Sequence, residues 1–147
     1  MIVLIQRVTR AAVRVEGETV GSIGAGLLAL VAIEQTDVEA TTGRAAERLL
    51  RYRVFTDQRG RMGRALIDTG GGLLLVPQFT LAADTRRGLR PDFTPAAPPE
   101  HARALFGSLL DTARERHAGV VAAGRFGADM QVELINDGPV TFLLNIS

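Results

Sequence analysis

The chain offers chemistry few side chains. It has no cysteine, which excludes thiolate nucleophiles, disulfides and cysteine-based zinc sites. All 17 of its basic residues are arginine, which excludes Schiff bases and lysine general bases. Its two histidines, His101 and His117, lie on one predicted helix, far beyond the i,i+4 spacing of paired helix ligands. Neither has an acidic neighbour arranged as a metal site. Both read as partly exposed helix residues, with His117 favouring the helix end. No metal and no cofactor is expected.

Hydroxyls, carboxylates, amides and the backbone remain, and two segments concentrate them where apolar strands end. In Pro77-Gln78-Phe79-Thr80 the proline removes a ladder donor, so a strand is ending or lies at an edge. Gln78 and Thr80 would face one side and Phe79 the other. Exposed N–H groups beside a polar side chain suit an oxyanion hole. Thr80 serves as a nucleophile only with a base nearby, and none is evident. The plain alternative is a strand end with a threonine on its wet face.

The second segment is Asn136-Asp137-Gly138-Pro139-Val140-Thr141. Asp-Gly signals a hairpin, and Gly-Pro is a place where a cis bond is accessible, in roughly 5–6% of X–Pro bonds. A glycine without side-chain bulk beside a rigid proline would present carbonyl oxygens as a fixed wall, or simply turn a hairpin. Arg86, Arg87 and Arg90 share one glycine-containing loop, and Arg59, Arg61 and Arg64 another. Such arginines meet phosphates through bidentate hydrogen bonds or are merely solvated. The run from Gly21 to Gly26 lacks the spacing and terminal lysine of a phosphate loop and reads as a turn.

The elements that must position these residues follow from periodicity. Residues 2–9 are β-branched and strand-like. Residues 12–16 alternate, Gly17 turns the chain, and 18–23 return as a hairpin. Residues 27–33 form an apolar run without alternation, as in a strand covered on both faces. A helix is predicted over 37–51, capped by Thr36 or Asp37, then a strand over 52–56 and a turn over 57–60. Gly70-Gly71-Gly72 reads as a flexible break before a buried strand at 73–76. A second helix is predicted over 98–117, with proline in its first turn and an apolar stripe of Ala102, Leu105, Phe106, Leu109 and Ala113. Residues 130–134 alternate, with Gln131 and Glu133 on the wet face, and 140–146 form a last strand.

The length, 147 residues, is that of one domain, here 1–147, and 46% hydrophobic content can fill a core. The fold class is α/β, a mixed sheet with about two helices. A net charge of +1 argues against a protein wrapped around nucleic acid but allows a local phosphate contact. No stretch nears the roughly 20 apolar residues of a membrane helix, and no secretory signal is visible, so a cytoplasmic protein is expected.

Taken together, the segments resemble the D-aminoacyl-tRNA deacylase family along essentially the whole chain. Ile5-Gln6-Arg7-Val8, Gly26-Leu27-Leu28, Arg53-Val54-Phe55, Gly88-Leu89-Arg90-Pro91 and Gly124-Arg125-Phe126-Gly127-Ala128-Asp129-Met130 fit in order. The signature motifs are Gln78-Phe79-Thr80-Leu81 and Asn136-Asp137-Gly138-Pro139-Val140-Thr141. The resemblance implies a barrel-like sheet and a homodimer with its active site at the subunit interface. It implies hydrolysis of the ester between tRNA and a D-amino acid, and of mischarged glycyl-tRNA. Gly138-Pro139 would be a cis pair inserted into the partner's pocket, where its carbonyls reject an L side chain. Arg7 would hold those carbonyls. Phe79 and Thr80 would line the aminoacyl pocket, with the Phe79 N–H near the ester. Phe126 and Met130 would border the terminal adenosine. Asn136, Val140 and Thr141 would complete the substrate site, and Arg86, Arg87 and Arg90 would meet the tRNA. The tRNA's own terminal ribose hydroxyl would assist, with Thr80 as a covalent nucleophile in the alternative mechanism. Two departures stand out: Pro77 where the family usually has serine, which leaves no hydroxyl there, and Gly63 where asparagine is common. Outside this resemblance, a non-catalytic RNA-binding module or a small-ester hydrolase would also fit.

Overall fold

The computed structural model describes residues 1–147. In chain order the elements are β1 (Ile2–Val15), β2 (Glu18–Ile23), β3 (Gly26–Ala32), α1 (Glu39–Arg51), β4 (Arg53–Thr56), β5 (Met62–Ala65), α2 (Leu66–Thr69), β6 (Gly72–Pro77), α3 (Pro99–Arg116), β7 (Val121–Ala123) and β8 (Gln131–Asn145). A 3₁₀ turn spans Phe79–Ala82.

Everything assembles on β1. One of its edges pairs with β8 along nearly its whole length; the other pairs with β3 over residues 2–8 and with β2 over 11–15. The sequence suggests two pieces here, but β1 is one strand. The turn into β2 uses Glu16 (φ 51°) and Gly17 (φ 79°), the double positive φ that a two-residue hairpin of the right twist requires. β6 adds parallel to β3 and β7 parallel to β6. The sheet then curls until β2 meets β7: a Cβ on Gly21 would stand 2.5 Å from the Ala123 carbonyl oxygen. The result is a nearly closed, barrel-like mixed sheet, as the α/β class predicts. β4 and β5 form a separate antiparallel ribbon.

The apolar pattern separates two cores on opposite faces. Leu27, Ala29 and Val31 of β3 and Leu73 and Leu75 of β6 face α1 and α3, while Leu28, Leu74 and Val76 face the inside of the curl. That is why these strands read as unbroken apolar runs. The helical face is closed by Ala45, Ala46, Leu49 and Leu50 of α1 and by the predicted α3 stripe, all five residues of it buried. Burying Leu109 completely contributes about 1.5–3 kcal/mol.

β1 serves both cores by changing sides. Val3 and Ile5 lie in the helical core, yet Ala11 and Val13, of the same parity, lie in the inner one. The register explains this. Between Val8 and Arg10, two steps on β1 face one on β8, so a bulged residue reverses the alternation. β8 reverses in compensation: Val132 and Leu134 pack on the inner core, but Val140, Leu144 and Ile146 lie in the helical core. Its reversal occurs between Asn136 and Thr141, where five steps of β8 face only two of β1.

Several expectations are corrected. There are three helices; α2, a single turn, is too short to show periodicity. α1 starts after Val38, and neither Thr36 nor Asp37 caps it; instead Thr41 Oγ1 accepts the Val38 N–H at 3.1 Å. Asp37 is buried and accepts the Met1 α-ammonium at 2.6 Å, beside Glu34 at 2.8 Å and the Ile146 carbonyl at 2.9 Å. A buried cation demands such partners. The glycine run before β6 is not a loose break: Gly72 is buried in the strand, and a Cβ on Gly26 would stand 1.9 Å from its carbonyl oxygen. His117 is buried, with Nε2 2.7 Å from the Gly71 carbonyl. No helix is long and apolar enough to cross a membrane.

Candidate functional site

β6 ends at Pro77, the last residue in register with β3, and the Gln78 N–H donates to the Val31 carbonyl at 2.7 Å. The chain does not continue as a strand end. It tightens into the 3₁₀ turn, in which Leu81 donates to Gln78 and Ala83 to Thr80. The first N–H groups of such a turn lie ahead of any partner within it, and those of Phe79 and Thr80 find no acceptor in the chain. Gln78 Nε2 donates to Thr80 Oγ1, so these two side chains meet as expected. No histidine or carboxylate contacts that hydroxyl. Phe79 is exposed and packs at a tilt of 56° against Phe93, ring centroids 5.0 Å apart.

Beside this turn opens a cavity of about 430 Å³, within the usual range for small-molecule sites. Eleven of its fifteen lining residues are hydrophobic, so it suits an apolar or aromatic guest. Its rim is Pro77, Gln78 and Phe79; its floor is Val31, Ile33 and Val76; one wall is Ala102 and Phe106 of α3. The 126–130 segment lines it next to α3, where Phe126 packs against Phe106 at 6.3 Å and lies under the Arg103 guanidinium at 4.8 Å. Met130 takes the Arg125 N–H on its sulfur at 3.3 Å.

The Asn136–Thr141 segment is not the expected hairpin. It is the excess of β8 over β1, extruded from a strand that continues on both sides. The residue types suit this geometry. Asn136 Oδ1 accepts the Val140 N–H at 2.9 Å, and its Nδ2 donates to Thr141 Oγ1 at 2.8 Å, closing the base of the loop. Gln6 adds a bond to the same hydroxyl at 3.3 Å. Arg7 reaches under the loop: Nε donates to the Asp137 carbonyl at 3.0 Å, and Nη1 to the Val54 carbonyl at 2.8 Å. Gly138 has φ 144°, and the Gly138–Pro139 bond is cis. Both residues are exposed at the crest.

The residues singled out in the sequence therefore form two groups. Gln78, Phe79, Phe126 and Met130 line the cavity, with Thr80 on its rim turn. Arg7, Asn136, Gly138, Pro139, Val140 and Thr141 form the extruded loop and its support, and none of them lines that cavity. Sequence reasoning missed Phe93, although it lies two residues beyond the quoted Gly88–Pro91 block. It also missed the Val54 carbonyl, which no side-chain pattern reveals, and the α3 wall, whose stripe reads only as core.

The arginines separate likewise. Arg86 is paired with Asp84 through Nε (2.9 Å) and Nη2 (2.6 Å), whose hydrogen bonds hold the Asp84 carboxyl far below the usual carboxylate range. Arg87 and Arg90 are exposed. Arg64 donates to the Asp68 carbonyl, and Asp57 accepts the backbone N–H groups of Arg59 and Arg61. On the outer face of β8, hydrogen bonds from Arg14 and then Arg10 hold Glu133 down to a pKa of about 2. Neither histidine lines the cavity; His101 Nε2 lies 2.9 Å from the Asp37 carbonyl.

Comparison with known proteins gives a consistent result. Residues 4–145 match the model of the family described as D-Tyr-tRNA(Tyr) deacylase. A protein of Methylococcus capsulatus named D-aminoacyl-tRNA deacylase is 65% identical over 144 residues, covering 98% of this chain and 94% of its own. One of the same name from Stenotrophomonas maltophilia is also 65% identical, covering 98% and 99%. A solved structure of a c-Myc DNA Unwinding Element Binding Protein superposes with a TM-score of 0.94 at 37% identity, over 99% of this chain and 98% of that one. A probable eukaryotic D-amino acid tRNA deacylase shares the fold, with a TM-score of 0.85 at 16% identity over 97% of each.

Proposed function

The chain belongs to the D-Tyr-tRNA(Tyr) deacylase family, and on that premise we propose that it is a D-aminoacyl-tRNA deacylase, an enzyme that hydrolyses the ester joining tRNA to a D-amino acid. The observation that carries this reading is the match over 98% of the chain to proteins 65% identical that bear that name. The enzyme works in the cytoplasm, where charged tRNA is found.

The terminal adenosine enters the apolar cavity between Phe126 and Met130, and the ester carbonyl comes to the Phe79 N–H. Water adds to the carbonyl carbon. The unpartnered N–H groups of the turn donate to the oxygen that gains charge, which is oxyanion stabilisation by groups already in place. The ester's ribose oxygen leaves and takes up a proton, and the neighbouring ribose hydroxyl helps move it. Thr80, on the rim turn, takes no covalent part; a hydroxyl with no base in contact is a weak nucleophile.

The chiral filter is Gly138-Pro139. Exposed on the crest of an extruded loop and absent from the chain's own cavity, the pair reaches the cavity of a second copy in a homodimer. There its carbonyls exclude an L side chain and leave room for a D side chain or the hydrogen of glycine, so glycyl-tRNA is also cleaved. Arg7 fixes the wall from beneath. Arg86, Arg87 and Arg90 belong to the tRNA-facing side.

The test is a paired deacylation of D-tyrosyl-tRNA and L-tyrosyl-tRNA, with glycyl-tRNA as a third substrate. Loss of the D and glycyl esters with the L ester spared is expected. Cleavage of both tyrosyl esters at one rate would refute the filter, and cleavage of none would refute the activity. The DNA-binding name of the 37% identical structure raises a second reading, a nucleic-acid-binding protein without turnover. The net charge of +1 speaks against it.

A further inference from the structure

The loop that leads from the 3₁₀ turn to α3 carries groups that nothing in the chain engages. Its base is closed by Asp84 and Asp92, which exchange backbone hydrogen bonds of 2.7 and 3.1 Å. Both acidic side chains are committed locally. Asp84 takes the Arg86 guanidinium, and Asp92 takes the Thr94 N–H at 2.9 Å and the Thr94 hydroxyl at 2.6 Å. At the tip Gly88 adopts φ 68°, and Leu89 is 104% exposed. Arg87 and Arg90 flank it without an ion pair or hydrogen bond in the chain.

A leucine held wholly in water between two free guanidiniums gains only when a partner covers it. That partner must offer anions around a flat apolar surface. Nucleic acid has this character: arginine takes its phosphates bidentately, while apolar side chains wedge against base faces. The loop is also tied to the cavity, because Phe93, just past the Asp84–Asp92 closure, packs at a tilt against Phe79 at the rim.

We propose that this tip docks the acceptor end of the tRNA, with Arg87 and Arg90 on its phosphates and Leu89 against the face of an unpaired base. Arg86, already neutralised by Asp84, supplies no free charge to it. The inference rests on the deacylase reading and deepens it by naming which of the three arginines bind and adding an apolar contact beside them.

The test compares wild type, Leu89→Ser and the double variant Arg87→Ala/Arg90→Ala on two substrates. One is D-tyrosyl-tRNA; the other is D-tyrosyl-adenosine, which keeps the ester and terminal nucleoside but has no acceptor strand. Leu89→Ser is expected to raise KM for the tRNA about fivefold, the lower end of a lost base contact, with kcat unchanged. Its cleavage of D-tyrosyl-adenosine should equal wild type. The double variant should lower the slope of log KM against log salt by about 2, roughly one per arginine. Wild-type tRNA kinetics in all variants would overturn the proposal. So would an equal loss on both substrates by Leu89→Ser, which would mean that the loop acts through Phe93 and Phe79. An unchanged salt slope, with lost binding to phosphatidylserine vesicles, would overturn it in favour of a lipid surface. A wild type that cleaves neither substrate would refute the deacylase reading itself, whatever the variants do.

Discussion

Replacing Gly138 by alanine adds one methyl group at the crest of the extruded loop. A Cβ there would lie 2.6 Å from Val140 Cγ2 and 2.8 Å from the Val140 nitrogen. Carbon atoms rest at about 3.5–4.0 Å, so something must move by about 1 Å. Val140 is 8% exposed and belongs to the helical core, so it does not yield. The crest, which the chain itself leaves exposed, does. The backbone adds its own resistance, because φ 144° is a glycine conformation that costs an L residue about 1–3 kcal/mol. Two consequences follow. The melting temperature should fall by about 2–4 °C for each kcal/mol lost, leaving the protein folded at 25 °C. The Gly-Pro carbonyls should also be displaced by about 1 Å, a shift that in a positioned site costs on the order of a hundredfold in rate. Single-turnover deacylation of D-tyrosyl-tRNA and L-tyrosyl-tRNA, with a thermal melt of the same sample, measures both. The expected result is a folded variant, slow on the D ester or no longer sparing the L ester. A folded variant with wild-type rate and wild-type discrimination would refute the assignment of the filter to this loop.

Three further expectations follow from the structure. Thr80→Ala should keep its rate within about tenfold of wild type, since the hydroxyl only accepts from Gln78; a loss of about a millionfold in kcat, as when a covalent nucleophile is removed, would restore the alternative mechanism. Asp37→Ala leaves the buried Met1 ammonium short of its nearest carboxylate and should cost about 3 kcal/mol in urea denaturation, with Glu34 and the Ile146 carbonyl keeping the loss at the lower end for a broken buried pair; an unchanged midpoint would contradict the cage. Glu133 titrates at about 2 rather than 4.5, so its clamp on Arg14 and Arg10 is fully present above pH 4.5 and is lost as the pH falls toward 2; the stability gap between wild type and Glu133→Gln should therefore be flat above about pH 5 and close on acidification, and a gap that widened would reverse the argument.

Elements whose causes are local were readable from the sequence. The α3 stripe from Ala102 to Ala113 is a property of eighteen consecutive residues, and the β1–β2 turn is set by Gly17 and its neighbour. Elements set by distant partners were not. Asn-Asp-Gly is a hairpin signal on its own, yet here β1, over a hundred residues earlier, pairs on both sides of it and forces an extrusion. The residues around Pro77 look like a strand end until the Val31 carbonyl takes the Gln78 N–H and the backbone tightens. His117 does sit at the end of α3, but it is buried there, with its ring nitrogen on the distant Gly71 carbonyl, which no helical pattern reveals. The site follows the same rule. Motif residues Gln78, Phe79, Phe126 and Met130 do share one cavity, whereas its floor and α3 wall are core residues that only folding turns toward a guest. Arg7 does support the extruded loop, but through the carbonyl of Asp137.

The extruded loop has a second consequence, for what the gene can tolerate. The three residues by which β8 exceeds β1 between Asn136 and Thr141 form an odd number. They present Gly138-Pro139, yet the pairing on either side does not depend on them, since Asn136 lies opposite Val8 and Thr141 opposite Gln6 whatever spans the gap. Excising Asp137, Gly138 and Pro139 would close β8 into a regular strand. Val140 would then face the side of Ile5 and Val3, and Leu144 would keep Val3 as its partner in the helical core. A lineage that ceased to need the activity could therefore lose the segment outright, so its retention follows use rather than folding.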